Sequence, residues 1–144
     1  MELWELQARE AIRDLVARYN ANGDTGRFDP MLALFIEEAV LEVPDRIIEG
    51  RAAIRAYFEE VARGDGDRKP VRLLRHHTAT LQIDVASPHE ASSRCYYQVF
   101  TEAGLDHWGR YLDDYRHQED RWLFSRRQVH LDGATPNSWA TPLL

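Results

Sequence analysis

The chain has 144 residues, a formal net charge of −6 and one cysteine, Cys95. One domain spanning residues 1–144 would bury roughly 70% of the surface that its unfolded chain exposes, so we expect it to fold without metal or disulfide staples. The acidic balance, 24 acidic against 18 basic residues, argues against a nucleic-acid partner, and a single cysteine excludes an internal disulfide.

The N-terminal segment lacks the pattern of a secretory signal. It has no basic stretch followed by a continuous apolar one, and nowhere does the chain contain about 18 consecutive apolar residues. We therefore expect neither export nor a membrane partner. A single cysteine also suits a reducing compartment, so the expected location is the cytoplasm.

Two helices are predicted at the start of the chain. Between Leu6 and Tyr19 apolar residues recur at i, i+3, i+4 and i+7, which indicates a first helix that ends near Gly23. Asp29-Pro30 supplies an N-cap acid and a proline for the first turn. The apolar stripe that follows predicts a second, shorter helix running to Glu38.

Two short strands and a third helix come next. The strands are predicted at 39–43 and 46–49, around a Pro44-Asp45 turn, and helical apolar spacing then continues up to Gly64. The stretch 64–70 is polar, contains glycine and ends in proline, so it is predicted to be a loop.

Beyond residue 70 the hydrophobic period changes from 3.6 to 2. Four long strands are predicted, at about 72–85, 92–102, 106–117 and 121–131. The short turns between them favour an antiparallel meander. The tail from 133 to 144 has no period, and we expect it to lie over the body of the domain.

Helices followed by an antiparallel sheet predict an α+β domain in which the helices cover one face of a curved sheet. We expect a conical cavity between them. This order of elements resembles the SnoaL-like branch of the NTF2-like superfamily, which has a cone-shaped fold. The segments that carry the resemblance are AIRDLVARYNANGD (11–24), FDPMLALFIEEAVLEVP (28–44), EGRAAIRAYF (49–58), RHHTATLQIDV (75–85) and GRYLDDYRHQEDRWLFSRRQVHLDG (109–133). The fold hosts many reactions, so the resemblance specifies the reaction much less than the architecture.

Within that branch the pattern is most similar to the dehydratase-like and dehydrochlorinase-like members. In those an aspartate shortly after the first helix and a histidine opening the long strand form a catalytic dyad, which implies Asp24 and His76 here. The bile-acid dehydratase members have a tyrosine five residues before the aspartate, matching Tyr19. The dehydrochlorinase has an arginine in its last strand, in a context that matches Arg127. The resemblance therefore implies four catalytic residues.

An aspartate and a histidine suit proton transfer if folding brings them together. At about 4 Å and an effective dielectric near 20, a carboxylate and an imidazolium attract by roughly 4 kcal/mol before desolvation. That is enough to orient the ring of His76 and fix its tautomer, leaving its other nitrogen as a general base, typically worth about 10²- to 10⁴-fold in rate. The alternative for Asp24, which follows Asn22-Gly23, is a turn or capping acid.

The strand phase leaves open which histidine faces inward. Leu81, Ile83 and Val85 share parity with His77 and not with His76. Either a bulge near 78–80 shifts the phase, or His77 points into the domain. We favour His76 as the inward histidine; the alternatives are His77 and neither of the two.

Arg127 and Tyr19 have structural alternatives. Arg126 could be the inward arginine, with Arg127 on the surface. Tyr19 lies on the apolar stripe of the first helix, so it is as readily a core residue as a catalytic one.

Further residues are predicted to contact the substrate. His107, Gly109, Tyr111 and Asp113 alternate onto one strand face; His107 and Tyr111 would line the cavity, and Gly109 would leave room where a ligand passes. His107 is a second candidate acid or base, although lining without chemistry is the simpler expectation for it and for Tyr111. Tyr57-Phe58, from the third helix, completes the substrate-binding set.

No cofactor or metal is predicted. The six histidines include no H-E-x-x-H motif, and adjacent His76 and His77 would point to opposite faces of a regular strand. His130-Leu131-Asp132 could mimic part of a facial triad, but a lone H-x-D is common by chance. Dinucleotide, phosphate-loop and serine-hydrolase motifs are absent from the sequence.

The sequence thus predicts a cofactor-independent acid-base enzyme, a dehydratase-type lyase or an isomerase, acting on a small and largely apolar molecule. The candidates are a steroid, terpenoid, polyketide or aromatic intermediate. The competing hypothesis is a noncatalytic binding or assembly module similar to the β-subunits of ring-hydroxylating dioxygenases. Relatives with this fold commonly pair through the convex face of the sheet, which implies a homodimer.

Overall fold

The computed structural model describes residues 1–64 and 73–140. Of the loop predicted at 64–70, only Gly64 lies within these residues, and the last four residues of the tail also lie outside them. The elements are α1 (Leu3–Gly23), α2 (Phe28–Leu32), β1 (Phe35–Val43), β2 (Arg46–Glu49), α3 (Arg51–Arg63), β3 (Arg75–Val85), β4 (Glu90–Thr101), β5 (Gly104–Gln118) and β6 (Arg121–Ala134). None of the helices in the described ranges has the length and hydropathy of a membrane span.

The six strands form one curved, unclosed sheet in the order β2-β1-β6-β5-β4-β3. From β3 to β6 each strand pairs antiparallel with the next, so the predicted meander is confirmed. The sheet starts and ends with edge strands, β2 and β3. The helices contact β1, β2, β3 and β6 and cover one face, which confirms the α+β architecture.

The first helix forms because one of its faces is apolar. Ala8, Ile12, Leu15 and Val16 are buried against the sheet, in the i, i+3, i+4 rows that share a helix face. The helix is longer than predicted at its N-terminus but ends at the predicted glycine. A turn through Gly26, at φ 71°, reverses the chain there.

The prediction for the second helix was wrong at both ends. Its N-cap residue is Arg27 and not Asp29, which lies in the first turn. α2 stops at Leu32, and Phe35 begins β1 instead of continuing a helix to Glu38. Phe35 and Ile36 are buried, and β1 pairs in parallel with β6, from which Phe124 donates its N–H to the carbonyl of Leu34. Aromatic and β-branched residues suit this paired, buried position, and the tertiary pairing overrides the local helical spacing.

A β-bulge lies where the sequence required a change of phase. In β3 the pairing with β4 shifts between Ala79 and Gln82, and Thr80 adopts φ 57°, a left-handed conformation that is uncommon for a threonine. One extra residue therefore separates the two halves of the strand. As a result His76 points inward before the bulge, while Ile83 points inward after it.

Candidate active site

The carboxylate of Asp24 binds His76 at two points. Its Oδ2 accepts the backbone N–H of His76 at 2.8 Å, and its Oδ1 lies 2.6 Å from the ring Nδ1. The Asp24 side chain is 7% exposed and that of His76 is 21% exposed. Nδ1 must carry hydrogen to bond a carboxylate, so the neutral ring has its lone pair on Nε2. Nε2 makes no hydrogen bond to a described residue.

Local backbone structure explains how two segments 52 residues apart meet. Asp24 is the C-cap residue of α1 and has helical φ and ψ, with its N–H bonded to the carbonyl of Asn20 at 2.8 Å. Its side chain therefore leaves the helix end toward the neighbouring edge strand β3. Because β3 is an edge strand, the N–H of His76 has no strand partner on that side, and the carboxylate satisfies it.

The alternative histidine does not point into the domain, although it borders the groove beside Asp24 and His76. His77 is exposed, and its ring packs against Phe100 at 5.0 Å between centroids. The inward position of His77 that the strand phase left open is therefore not observed. The bulge considered near 78–80 is present, and it turns His76 toward the interior.

Arg127, and not Arg126, points into the domain. Its Nε and Nη2 each donate to Asp113 at 2.8 Å, and both side chains are fully buried. Arg126 instead bonds Glu42 at 2.6 Å with its side chain 42% exposed. Burial alone would lower the pKa of Arg127, but the negative charge of Asp113 raises it well above its ordinary value. The guanidinium is therefore always charged.

Two tyrosines sandwich the guanidinium of Arg127. Its central carbon lies 4.2 Å from the ring centre of Tyr19 and 3.9 Å from that of Tyr111. Burial raises the pKa of both tyrosines, against the opposing effect of Arg127, so both hydroxyls stay protonated at neutral pH. Nη1 of Arg127 makes no hydrogen bond within the described residues. The cluster thus keeps a cationic donor beside two phenols.

Tyr97 is an interior residue that the sequence analysis missed. Its ring stacks on Tyr111 at 4.6 Å and lies 6.3 Å from the ring of His76 and 6.2 Å from that of His107. Its hydroxyl donates to the backbone carbonyl of His130 at 3.1 Å. Alternation along β4 was the available signal, since Tyr97 shares parity with buried Cys95 and Val99.

The role predicted for Gly109 was wrong. A Cβ atom there would lie 1.8 Å from the carbonyl oxygen of His130 and 2.6 Å from the hydroxyl of Tyr97. Gly109 therefore leaves room for the phenol of Tyr97 and for the close approach of β6, and not for a ligand. Gly109 does mark a close approach, as the sequence indicated, but the approaching group belongs to the protein itself.

A second aspartate-histidine pair lies at the start of β5. His107 Nδ1 is 2.7 Å from Asp106 Oδ2, and each side chain is 9% exposed. Asp106 also accepts hydrogen bonds from the hydroxyl of Ser138 at 2.6 Å and the N–H of Trp139 at 3.1 Å. Burial lowers the pKa of His107, with Asp106 opposing and His76 adding to that effect, so the ring is neutral at pH 7. The described part of the tail thus contacts the body of the domain.

Tyr57 and Phe58 reach the same interior from α3. Phe58 contacts the ring of Tyr19 at 6.3 Å, and Tyr57 contacts Phe58 at 5.3 Å. Tyr57 also lies under Arg46, whose guanidinium carbon is 4.9 Å from the ring centre. Burial raises the pKa of Tyr57 to about 12. Through ring contacts and hydrogen bonds, the fold connects all eight predicted site residues in one cluster.

A groove of about 480 Å³ borders the Asp24-His76 pair, between α1 and the start of β3. Asn20, which is buried, lines it, and its amide nitrogen has no hydrogen-bond partner in the described residues. Deeper in the domain the rings around Tyr19 are packed, with Phe35 at 5.9 Å and Phe124 at 5.7 Å. The enclosed conical cavity stays a prediction.

The described residues contain no cluster of three or more side chains suited to hold a metal ion. Asp132, one end of the H-x-D sequence, is bonded to Arg110 at 3.1 Å, and His130 lies 3.3 Å from Gln128. These side chains are thus engaged with other neighbours.

The sequence model of the SnoaL-like domain family matches residues 4–128. The chain belongs to this family. A comparison with functionally curated proteins found no match. The resemblance read from the sequence segments is therefore confirmed at the level of the family.

Solved structures show the same architecture. A protein from Novosphingobium aromaticivorans, provisionally named a scytalone dehydratase, is 24% identical with a TM-score of 0.80, over 94% of this chain and 91% of that one. An NTF2-like protein with a cystatin-like fold from the same organism is 26% identical with a TM-score of 0.74, over 96% and 90%. A hexachlorocyclohexane dehydrochlorinase from Novosphingobium barchaimii is 16% identical with a TM-score of 0.80, over 94% of each chain. The fold is therefore NTF2-like, as predicted.

Proposed function

We propose that this SnoaL-like chain is a cofactor-independent acid-base enzyme that uses His76 as its base. The observation that carries the proposal is the double attachment of His76 to Asp24, through both the backbone N–H and the ring Nδ1. A carboxylate that serves only as a helix cap or turn acid needs no imidazole. This one fixes the ring orientation and the tautomer, and leaves Nε2 able to accept a proton.

The favoured reaction is the elimination of water or a similar leaving group. His76 Nε2 takes a proton from a carbon atom, the released electron pair forms the new double bond, and the neighbouring leaving group departs with its own bonding pair. Double-bond isomerisation is the second candidate. It begins with the same proton removal, but the proton returns to a different carbon.

Arg127 and Tyr19 are proposed to stabilise the negative charge that develops on the substrate or the leaving group. The guanidinium is permanently charged and has one NH₂ group without a partner in the described residues. Tyr19 keeps its hydroxyl proton because burial raises its pKa. A preorganised donor of this kind is typically worth about 10²- to 10³-fold in rate.

The proposed substrate is a small, largely apolar ring compound, because a chain of aromatic rings extends from His76 into the domain, beginning with Tyr97 at 6.3 Å. Tyr57, Phe58 and Tyr111 are the proposed contacts. Two of the similar structures are named as a dehydratase and a dehydrochlorinase, and both names describe eliminations. A homodimer in the cytoplasm remains the expected setting, and sedimentation at micromolar concentration tests the dimer.

The dyad is tested by comparing Asp24→Asn and His76→Ala with the wild type on a panel of hydroxylated steroids, terpenoids and aromatics. Loss of water is followed by mass spectrometry, and hexachlorocyclohexane is included with chloride release as its readout. We expect each variant to lose about 10²- to 10⁴-fold in turnover. His77→Ala is the matched control, because it removes the exposed neighbour of His76 and should keep full activity. Full turnover in both dyad variants would end the proposal.

A second measurement needs no substrate. Nitrogen NMR of the imidazole of His76 should show hydrogen on Nδ1 and none on Nε2 in the wild type at pH 8. In Asp24→Asn the preference should weaken, because an amide can either donate or accept. A mixed tautomer in the wild type would contradict the geometry on which the proposal rests.

One observation favours the noncatalytic alternative. The rings of Tyr19, Phe35 and Phe124 pack at 5.3 to 5.9 Å around the buried Arg127, as in a filled core. A noncatalytic module would need this packing for its stability, and it would have no use for the free Nε2 of His76. The activity panel separates the two, because the module predicts no turnover by the wild type.

A further inference from the structure

The Asp106-His107 pair repeats the geometry of Asp24-His76 within the same interior. In both pairs the carboxylate contacts Nδ1, at 2.7 Å for His107 and 2.6 Å for His76. The ring of Tyr97 lies between them, 6.2 Å from one imidazole and 6.3 Å from the other. The charge of His76 contributes to lowering the pKa of His107. One interior thus receives two imidazoles, each oriented by its own aspartate.

Asp106 is held more firmly than a carboxylate needs for a single partner. Ser138 donates its hydroxyl to Oδ2, the N–H of Trp139 donates to Oδ1, and the N–H of Thr135 bonds the Asp106 carbonyl at 2.9 Å. With these donors in place, the carboxylate accepts from Nδ1–H of His107 and fixes that tautomer. The segment that follows β6 therefore orients a histidine of β5.

The free nitrogen of His107 is an acceptor in an apolar setting. Its Nε2 makes no hydrogen bond to a described residue. Burial lowers the pKa of the ring, so at neutral pH Nε2 carries a lone pair and no hydrogen. The ring lies 6.2 Å from Trp139 and edge-on to Tyr97. An acceptor beside flat aromatic rings suits a hydroxyl or N–H group carried by a ring compound, in place of water.

We propose that His107 is a specificity residue that accepts a hydrogen bond from a hydroxyl group of the substrate, which is therefore a hydroxylated ring compound such as a phenol or a cyclic alcohol. The proposal rests on the proposed function only in placing the substrate in the interior that His76 faces. It adds that Asp106, Ser138 and Trp139 are positioning residues for His107. A site built around such an acceptor rejects an analogue that lacks the hydroxyl.

The test uses two probes of the same shape at pH 8, 2-naphthol and 2-methoxynaphthalene, of which only the first can donate a hydrogen bond. Their affinities for the full chain are measured by fluorescence. We expect the wild type to bind 2-naphthol about tenfold more tightly, which corresponds to roughly 1.4 kcal/mol. Equal affinities, or no binding of 2-naphthol up to its solubility limit, would overturn the proposal.

Two variants assign the preference to His107. His107→Phe keeps a flat ring without the acceptor, and the tenfold ratio should fall to about one. Asp106→Asn can donate its amide N–H to Nδ1, which moves the ring hydrogen to Nε2; the preference should then shift toward the methoxy probe. If Asp106 has only a structural role, Asp106→Asn should weaken the binding of both probes equally. If His107→Phe does not fold, the result for Asp106→Asn decides.

His77→Phe is the comparison variant and should retain the preference for 2-naphthol, while His76→Phe tests whether the hydroxyl binds the first dyad instead. If the preference disappears in His76→Phe and persists in His107→Phe, the hydroxyl binds the first dyad and the proposal is wrong. This result is independent of turnover. A failed activity panel with a preserved naphthol preference would reject the catalytic role of His76 alone, and the reverse outcome would reject the role of His107 alone.

Discussion

Two buried aspartates of this domain bind their partners in different ways. Both carboxylate oxygens of Asp113 accept hydrogen bonds from Arg127, and both side chains are fully buried. The carboxylate of Asp24 bonds the backbone N–H and one ring nitrogen of His76, and about a fifth of the His76 side chain is exposed. The first pair is a two-point contact between fully buried groups, although Nη1 of Arg127 keeps no partner in the described residues, whereas the second leaves the Nε2 of a partly exposed ring available. The difference suggests that Asp113 mainly maintains structure while Asp24 prepares a group for chemistry.

The position of each pair in the fold fits this division. Arg127 and Asp113 face each other across the central strands β5 and β6. Their contact is supported by Tyr115, which donates to Asp113 at 3.2 Å. Asp24 and His76 instead lie at a helix end and an edge strand, where backbone groups face open space. Stability should therefore depend strongly on the first pair and only weakly on the second.

The largest expected effect is the loss of the central pair. Arg127→Met leaves the carboxylate of Asp113 buried without its cation, and we expect the free energy of unfolding to fall by about 3–5 kcal/mol. Arg126→Met is the matched control, because its pair with Glu42 is partly exposed and is worth below about 1 kcal/mol. Urea denaturation of both variants provides the measurement. Similar losses for the two neighbours would remove the distinction between them.

The next effect concerns Gly109, on the strand β5 that also carries Asp113. Gly109→Ala would place a methyl group against the carbonyl of His130 and the hydroxyl of Tyr97. We expect a loss of roughly 1–3 kcal/mol from overpacking. Adding Tyr97→Phe should recover little, since the closer clash is with the backbone of β6. Full recovery in the double variant would show that the side chain, and not the strand spacing, requires the glycine.

A smaller effect is expected from the hydroxyl that supports Asp113. Tyr115→Phe removes hydrogen bonds to Ser93 and Asp113, at 2.7 and 3.2 Å, and should cost about 1 kcal/mol. Tyr96→Phe, at an exposed position of the neighbouring strand, is the control and should change nothing. A loss for Tyr96 as large as that for Tyr115 would mean that the buried network contributes little.

The sequence predicted the fold class from the order and periodicity of its elements, and the contact between Asp24 and His76 from the resemblance to SnoaL-like dehydratases. It did not predict that Phe35 begins a strand, because the partner of that strand is 89 residues away in β6. It also missed Asp113 as the partner of Arg127. The alternation of residues along β5 placed Asp113 on the inner face of the sheet. Bulges in β6 determine whether Arg126 or Arg127 contacts it, and the hydrophobic period of the sequence does not reveal where those bulges lie.

The smallest effect is expected from the second histidine pair and appears on mild acidification. Burial lowers the pKa of His107, so the unfolded chain binds a proton more readily than the folded one. The folded state therefore keeps its full stability while the pH is above about 6.5, the ordinary pKa of histidine. As the pH falls below that value, the unfolded chain takes up a proton that the folded chain does not, and the free energy of unfolding decreases. Asp106, His76 and Tyr97 face the ring. The pKa of Asp106 is lowered too, because its hydrogen bonds outweigh burial, but that contribution is lost only in stronger acid.

Urea midpoints between about pH 8 and 5 test this expectation in the wild type and in His107→Gln, which cannot titrate. The wild type should lose more stability across the interval than the variant does. Because His76 is present in both proteins, the difference between the two curves reports the removal of His107, including its interaction with His76. Parallel curves would show that His107 gains its proton as readily when folded as when unfolded, and would place it in a wetter setting than its burial indicates.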